Sequence, residues 1–424
     1  MKKNEIIALK VEKRKYFCIV KRLATFQKVI AVTVIMMISG WVSCLRANGF
    51  ETAQSADTKT DTADDSIEVS LITCSAGGEI YSLYGHTALR FHDMRNDEDL
   101  TFNYGIFSFK KSFFALRFTM GLTDYELGII PFNYFQREYA RTGRGMVEQV
   151  LNLTTAEKQA LYCALMENYL PQNRVYRYNF FYNNCTTKAR DMIERCIDGE
   201  MVYPEKHQYT TYRQAIHKHT GGHPWASFGN DLCIGAKADR KMSLREQQFL
   251  PSNLENDFEK AYIKSADGKR RPLVTSTRTV LEPQAHTTEK EFPLSPTQCA
   301  CLLLAVSIAT AFIEYRRKST FVAWDCLLML VTGTAGIIIT ILFFSKHPTT
   351  STNLQILLLN PIPLIYIYNV ARRKKTNYWK ISLSMIILFL IGAFLQEYAE
   401  GMCIVALSLL IRCWTNIKFP SYRQ

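Results

Sequence analysis

Five apolar stretches between residues 297 and 414, separated by loops that alternate in charge, constrain this chain more than any other feature. They run over roughly 297–313, 321–344, 353–370, 381–396 and 398–414. The second is long enough to cross a bilayer, while the first, fourth and fifth lie near the lower limit. Arg316-Arg317-Lys318 follows the first stretch, Arg372-Arg373-Lys374-Lys375 the third, and Arg412 and Lys418 mark the last. The intervening loops, around His347 and around Gln396-Glu397, hold only Lys346 as a basic residue. Basic loops stay in the cytoplasm. The chain therefore enters the first of these helices from outside, which puts residues 47–296 outside as well. The other end of the chain agrees. Nine Lys/Arg precede the apolar run Val29–Val42, the layout of an export signal.

The formal net charge is +13. Residues 1–46 carry ten Lys/Arg against two acids, and 297–424 carry twelve against four, which leaves the middle at −3. The basic excess belongs to membrane orientation. The middle region has no surplus to neutralise phosphates, so nucleic acid is not an expected partner. We divide the chain into a signal sequence or signal anchor (1–47), a flexible Thr/Asp/Ala/Ser linker (48–66), an exported domain (67–296) and a helical membrane domain (297–424). Of the twelve cysteines, five lie in the membrane stretches. Cys74, Cys163, Cys185, Cys196 and Cys233 lie in the exported domain, where disulfides are permitted. Their spacing names no pairing, and no zinc pattern of Cys-x-x-Cys type occurs.

In the exported domain, 67–73 alternates and reads as a strand. His86–Phe91 and Leu100–Tyr104 flank a polar turn and read as a hairpin. Thr154 and Glu157 form a capping box opening a helix to about Tyr169, ended by Pro171. Tyr176–Phe181 is strand-like. A second helix starts at Cys185 and ends before Gly199.

The sharpest local feature is Asn183-Asn184-Cys185-Thr186-Thr187. Asparagine is a favoured N-cap, so Cys185 falls in the first helical turn, where partial positive charge lowers a thiol pKa. Ala189, Met192, Ile193, Cys196 and Ile197 recur at helical spacing, and Cys185 continues that inward face. A nucleophile fits there, and so does a structural cysteine. His86, opening the first hairpin strand in Tyr84-Gly85-His86-Thr87, can face such a helix and take the thiol proton. Asn103 on the paired strand can orient the imidazole, as a third member does in Cys-His-Asn triads. His92 competes for that role from a turn position.

These strings, with Cys74-Ser75-Ala76-Gly77-Gly78-Glu79, Phe102-Asn103-Tyr104-Gly105 and Arg190-Asp191, resemble the Lnb-type periplasmic domain. That domain looks like a circularly permuted member of the papain-like NlpC superfamily, in which the His strand precedes the Cys helix. Lecithin–retinol acyltransferase shares the permuted order. Asp231, Gly235, Ala238-Asp239, His347-Pro348, Asn353 and Asn360-Pro361 extend the resemblance through the membrane tail. It implies an α+β papain-like domain followed by an all-α bundle of about five transmembrane helices, in the inner membrane of a bacterium with the catalytic domain in the periplasm. The implied activity is that of a lipoprotein N-acyltransferase. A fatty acyl chain passes from a phospholipid through a Cys thioester to the α-amine of a diacylglyceryl lipoprotein, with no cofactor. The carried-over roles are Cys185 as nucleophile and His86 as base; Asn103 as orienter is our geometric reading. Tyr84, Asn184, His347 and Asn360 are the residues expected to meet substrate.

Two other readings compete. A thiol hydrolase, acting on a phospholipid or a cell-wall peptide, uses the same chemistry, and a receptor or assembly factor uses none. The multi-helix tail favours a lipid over the cell wall, and the presence of both Cys185 and His86 argues against a non-catalytic role. His207, His217, His219 and His223 suggest a metal site, but the Gly-rich segment reads better as a solvated loop. The aromatic run Phe107–Phe118 suits an acyl groove or a core. Asn360-Pro361 marks either a functional polar group or a kink. Asp325 and Glu400 lie near helix ends, where water or headgroups suffice to explain them.

Overall fold

The computed structural model describes residues 66–79, 82–107, 114–205, 211–284 and 292–419. The export segment, nearly all of the linker, His207 and residues 108–113 of the aromatic run lie outside them.

A seven-stranded antiparallel sheet forms the frame, built from β1 (Ile67–Cys74), β2 (His86–Asp93), β3 (Glu98–Ile106), β4 (Asp124–Pro131), β5 (Met146–Leu151), β6 (Val175–Arg177) and β10 (Val274–Leu281). Its order is β10-β5-β1-β2-β3-β4-β6. The expected hairpin is β2–β3, closed by a turn in which the Asp93 carboxylate accepts the Arg95 and Asn96 amides. Three short strands, β7 (Glu200–Val202), β8 (Tyr262–Lys264) and β9 (Arg270–Pro272), make a second sheet.

The domain helices are α1 (Phe114–Thr119), α2 (Phe132–Arg141), α3 (Thr155–Tyr169), α4 (Cys185–Cys196), α5 (Tyr212–Thr220), α6 (Pro224–Cys233), α7 (Leu244–Gln247) and α8 (Pro251–Lys260). Alternation along the strands sends side chains to two cores. Val69, Leu71, Leu89, Phe91, Phe102 and Tyr104 face Leu161, Leu165, Ala189, Ile193, Leu254 and Phe258 of α3, α4 and α8. Ile72, Cys74, Ala88 and Met146 face Phe132, Phe135 and Tyr139 of α2 on the other side. Each large side chain buried this way contributes about 1.5–3 kcal/mol. Cover on both faces explains why β1 is buried almost throughout.

The capping box forms as expected, with Glu157 N donating to Thr154 Oγ1 and Thr154 N to Glu157 Oε2. The strand expected over Tyr176–Phe181 stops at Arg177. Asn179 Oδ1 accepts the amides of Phe181 and Tyr182, and this local turn draws the chain out of the sheet. The solvated loop expected around His217 and His219 is helix α5. Tyr212, Ala215 and Ile216 supply a buried stripe that the neighbouring glycines obscured. His217 bonds Asp231 at 2.9 Å, and no metal-binding cluster exists among the described residues.

The tail consists of α9 (Pro296–Arg317), α10 (Val322–Phe343), a 3-10 turn at Leu354–Leu357 leading to α11 (Ile362–Ala371), α12 (Tyr378–Gly392) and α13 (Met402–Lys418). Among the described residues, three spans are long and apolar enough to cross a membrane: Pro296–Arg317, Val322–Phe343 and Leu354–Ala371. Tyr378–Gly392 is a shorter apolar helix. The break in the third span falls at Asn360-Pro361. The buried Asn360 Oδ1 accepts the Ile362 amide there, at the first residue of α11.

Two readings of charge are corrected. Asp325 does not sit in headgroups; it is 1 % exposed, and Arg412 Nε donates to it at 2.8 Å. Arg412 is not a loop charge; it is buried between Asp325 and Glu314, whose carboxylate it meets at 2.6 Å. One cation and two acids thus join α9, α10 and α13. Orientation rests on Arg316–Lys318 and Arg372–Lys375, which are nearly all exposed.

The tail docks on the domain through backbone contacts. Gly235 N donates to Thr349 O at 2.7 Å and Lys346 N to Met120 O at 3.0 Å. Asn353 Nδ2 reaches Leu232 O, and Gln355 Nε2 reaches Asp231 O, both at 2.8 Å. Asp231 is also held by Arg213, a fully buried guanidinium that pairs with Asp239 too.

Candidate active site

One end of the large sheet carries the chemistry. β1 ends at Cys74, whose register partner is His86 at the start of β2; Met146, opening β5, lies opposite Cys74 on the other side. Helix α4 begins at the same end. Its cap is fully formed: Asn184 Oδ1 accepts the amides of Thr186 and Thr187 at 3.0 and 2.9 Å. Asn184 Nδ2 donates to Phe180 O and Phe249 O. The cap fixes where the helix starts, and so where Cys185 stands. It leaves the Cys185 amide without a partner among the described residues, at the helix end that stabilises negative charge.

His86 and Cys185 face one another closely enough that the charge of each acts on the other. Behind the imidazole, His86 Nε2 meets Asn103 Oδ1 at 2.7 Å. A carbonyl oxygen only accepts, so Nε2 carries the proton and Nδ1 is left as the basic nitrogen for the thiol. The ring packs against α2, 6.4 Å from Tyr139 and nearly parallel to it. Gly105 lies beside both groups. It sits at a bulge in β3 with φ +101°, and a Cβ there would lie 3.7 Å from His86 Cε1 and 3.8 Å from Cys185 Cβ.

Burial alone would push the Cys185 thiol up. The charge of His86 and its hydrogen bond, the Thr87 amide and the Thr186 hydroxyl outweigh burial and bring it down to about 7. For His86 the signs mirror this. Burial lowers its pKa, but Cys185 and the Asn103 bond raise it above its ordinary value overall. Each group favours the charged form of the other, which is how a thiolate nucleophile is held ready near neutrality.

Cys185, His86 and Asn103 therefore come together, although 99 residues separate Cys185 from His86. Tyr84 lies nearby; its hydroxyl accepts from Asn230 at 2.7 Å and its ring meets Phe180 edge-on at 4.7 Å. The Phe107 ring lies 4.8 Å from Tyr125, which stacks on Tyr178 at 4.1 Å. The charge of Cys185 acts on both tyrosines. His92 is at the far end of β2, opposite Asp99, and does not join the site. His347 lies in the docking loop beside Gly121, and Asn360 lies in the membrane bundle. Sequence reasoning missed Tyr139, Arg144 and the particular role of Gly105. Only Gly105 left a signal, as the glycine ending Phe102–Gly105. All ten described cysteines are free thiols.

An α+β domain with a paired thiol and imidazole, carried on membrane-spanning helices, defines a membrane-anchored protein of the thiol–imidazole class. The model of the Lnb N-terminal periplasmic domain matches residues 54–218, and that of the Lnb transmembrane domain matches residues 287–424. The chain belongs to the Lnb family. No curated protein and no solved structure matches it.

Proposed function

We propose that this protein is a lipoprotein N-acyltransferase of the bacterial inner membrane, with Cys185 as nucleophile, His86 as base and Asn103 as orienter. The observation that carries this is the pair itself. A thiol at a helix N-terminus faces an imidazole whose charge favours the thiolate, and that imidazole is fixed by an amide at 2.7 Å. The membership of the Lnb family and the docking of the membrane tail on the domain support a lipid as the substrate.

The Cys185 thiolate attacks an ester carbonyl of a phospholipid, and the Cys185 amide at the helix N-terminus serves as an oxyanion donor. The carbon–oxygen bond to glycerol breaks, and His86 returns its proton to the leaving oxygen. The resulting thioester is then attacked by the α-amine of a diacylglyceryl lipoprotein; the carbon–sulfur bond breaks, Cys185 leaves as thiolate, and His86 takes the amine proton. No cofactor enters. Tyr84 and the aromatic cluster of Phe107, Tyr125 and Tyr178 border the acyl chain. Asn184, His347 and Asn360, expected to touch substrate, have structural partners that explain them, and we assign them no contact.

The test uses the purified protein with phospholipid. Intact-mass measurement is expected to show one acyl adduct on the wild type and none on Cys185→Ala. Adding a diacyl lipopeptide should discharge the adduct into N-acyl product. Release of free fatty acid with no N-acylated peptide would favour the hydrolase. A Cys185→Ala variant that still yields product would overturn the mechanism.

A further inference from the structure

Several buried or half-buried arginines are ion-paired. Arg90 meets Asp99 and Glu148, Arg213 meets Asp231 and Asp239, Arg271 meets Glu157, and Arg412 meets Glu314 and Asp325. Arg144 is different. Its Nε donates to Ser75 O at 2.8 Å, and its Cζ lies 4.5 Å over the Tyr139 ring. Its Nη2 is buried and meets no acceptor, and no carboxylate pairs with it among the described residues. A cationic nitrogen withdrawn from water without an anion is unfavourable. The local structure accounts for the Nε bond and the ring contact, and Glu138 of α2 acts on the same Cys74 and Tyr139, but no carboxylate pairs directly with the guanidinium among the described residues.

Its position gives this meaning. Arg144 precedes β5, whose first residue Met146 is in register with Cys74, and Cys74 with His86. The Tyr139 ring beneath the guanidinium runs parallel to the His86 imidazole, within 11°. The charge of Arg144 is felt at His86, where it opposes protonation. A positive charge without a paired carboxylate therefore acts on the thiol–imidazole pair.

We propose that Arg144 binds the phosphodiester of the acyl-donor lipid and so distinguishes donor from acceptor. The proposal rests on the acyl-transfer reading above. Donor and acceptor both carry acyl esters on glycerol, so Cys185 meets two sets of chemically similar carbonyls. Only the donor carries a phosphate, a short glycerol bridge from its esters. A guanidinium matches phosphate oxygens with directed donors. The bound phosphate holds the donor ester at Cys185. When the carbon–sulfur bond forms and the carbon–oxygen bond breaks, Arg144 keeps the departing glycerol oxygen beside the His86 proton. The diacylglyceryl group of the acceptor has no anion to place its esters there, so it presents its amine to the finished thioester.

The test separates binding from chemistry. The full chain in neutral detergent micelles is offered two ether-linked lipids with identical chains, a phosphatidylglycerol analogue and a diether glycerol, and retention is read by native mass spectrometry. Wild type is expected to hold the phospholipid about tenfold more tightly or better, the scale of one charge-assisted contact. Arg144→Gln should bring the two lipids close to parity, and Arg144→Lys should restore part of the preference. Cys185 alkylation by iodoacetamide is followed in each variant to report an intact site. Millimolar inorganic phosphate should not displace the lipid; displacement at lipid-like affinity would make this a free-phosphate site and overturn the lipid assignment. Equal retention of the two lipids by wild type, which needs no variant to fold, would also overturn it. So would a preference undiminished in Arg144→Gln. If an Arg144-dependent preference stands while wild type forms no acyl-thioester, the transfer reading falls and the phosphate site remains.

Discussion

Cys74 and Cys185 sit at the same end of the sheet, and their opposite behaviour shows what makes a thiol reactive. Burial raises both. Cys74 is pushed up to about 12, because Arg144 and Tyr139 offset little of its desolvation. Burial is also the largest influence raising Cys185, but it faces His86 and the Thr87 amide, and falls to about 7. Thiolate, not thiol, reacts with iodoacetamide, so the rate at Cys185 is expected to rise as pH passes through about 7, below the ordinary thiol range. His86→Ala removes the largest opposing influence and leaves the burial, so the midpoint should move to 9 or above. A midpoint that stayed near 7 in the variant would show that the helix end and backbone donors suffice without the imidazole. The three residues of this site were legible because each is announced locally, Cys185 by an N-cap and His86 and Asn103 by a hairpin. Tyr139 and Arg144 were not, because strand register and the facing of α2, neither written in nearby residues, bring them to His86.

At the scale of elements, most boundaries follow from short-range chemistry. The Thr154–Glu157 box, the Asn184 cap and the Asp93 turn are all local, and each fell where its residues suggested. The misjudged elements were those where a local rule met a competing partner. Asn179 ended a strand that β-propensity extended, and α5 formed where flanking glycines suggested a loop. In the tail, Arg412 was misread as a boundary charge because a basic residue near a span end ordinarily faces water. It is instead the hub of α9, α10 and α13. Arg412→Met leaves the Asp325 and Glu314 carboxylates buried without a cation, at a cost of about 3–5 kcal/mol. Thermal unfolding in detergent is expected to show that loss. A triple variant, Arg412→Met with Glu314→Gln and Asp325→Asn, should recover much of it, since the charge imbalance is then gone. Recovery no better than the single variant would mean that hydrogen-bond geometry, and not charge, holds the helices.

For the whole molecule, the question is how the thiol domain is joined to the membrane tail, which the proposed acyl transfer requires. The docking loop supplies the physical link. A Cβ on Gly235 would lie 2.8 Å from Asn353 N and from Ser351 O, so domain and tail meet there backbone to backbone. Gly235→Ala must push the loop away, because backbone cannot give as a side chain can. Hydrogen exchange is expected to quicken over residues 231–239 and 349–357. Acylation of Cys185 by a water-soluble thioester should stay near the wild-type rate, while acylation by phospholipid in a bilayer falls by about tenfold, roughly 1.4 kcal/mol of lost positioning. If both rates fell together, the loop would be supporting the domain itself and not its approach to the membrane.

The sequence by itself determined the membrane tail, its basic cytoplasmic loops, the export of the middle region, and a thiol and imidazole placed at the starts of a helix and a strand. Those features rest on hydropathy, charge and capping, which act over a few residues and need no knowledge of the rest of the chain. Tertiary structure alone decided that the end of β1 and the starts of β2 and β5 meet in register at one rim, that Gly105 lies beside His86 and Cys185, and that Arg144 has no paired carboxylate among the described residues. It also decided that Arg412 turns inward to two acids. Each of these is a meeting of residues far apart in sequence, fixed by strand register and by the pairing of buried charge, and such meetings exist only once the chain has folded.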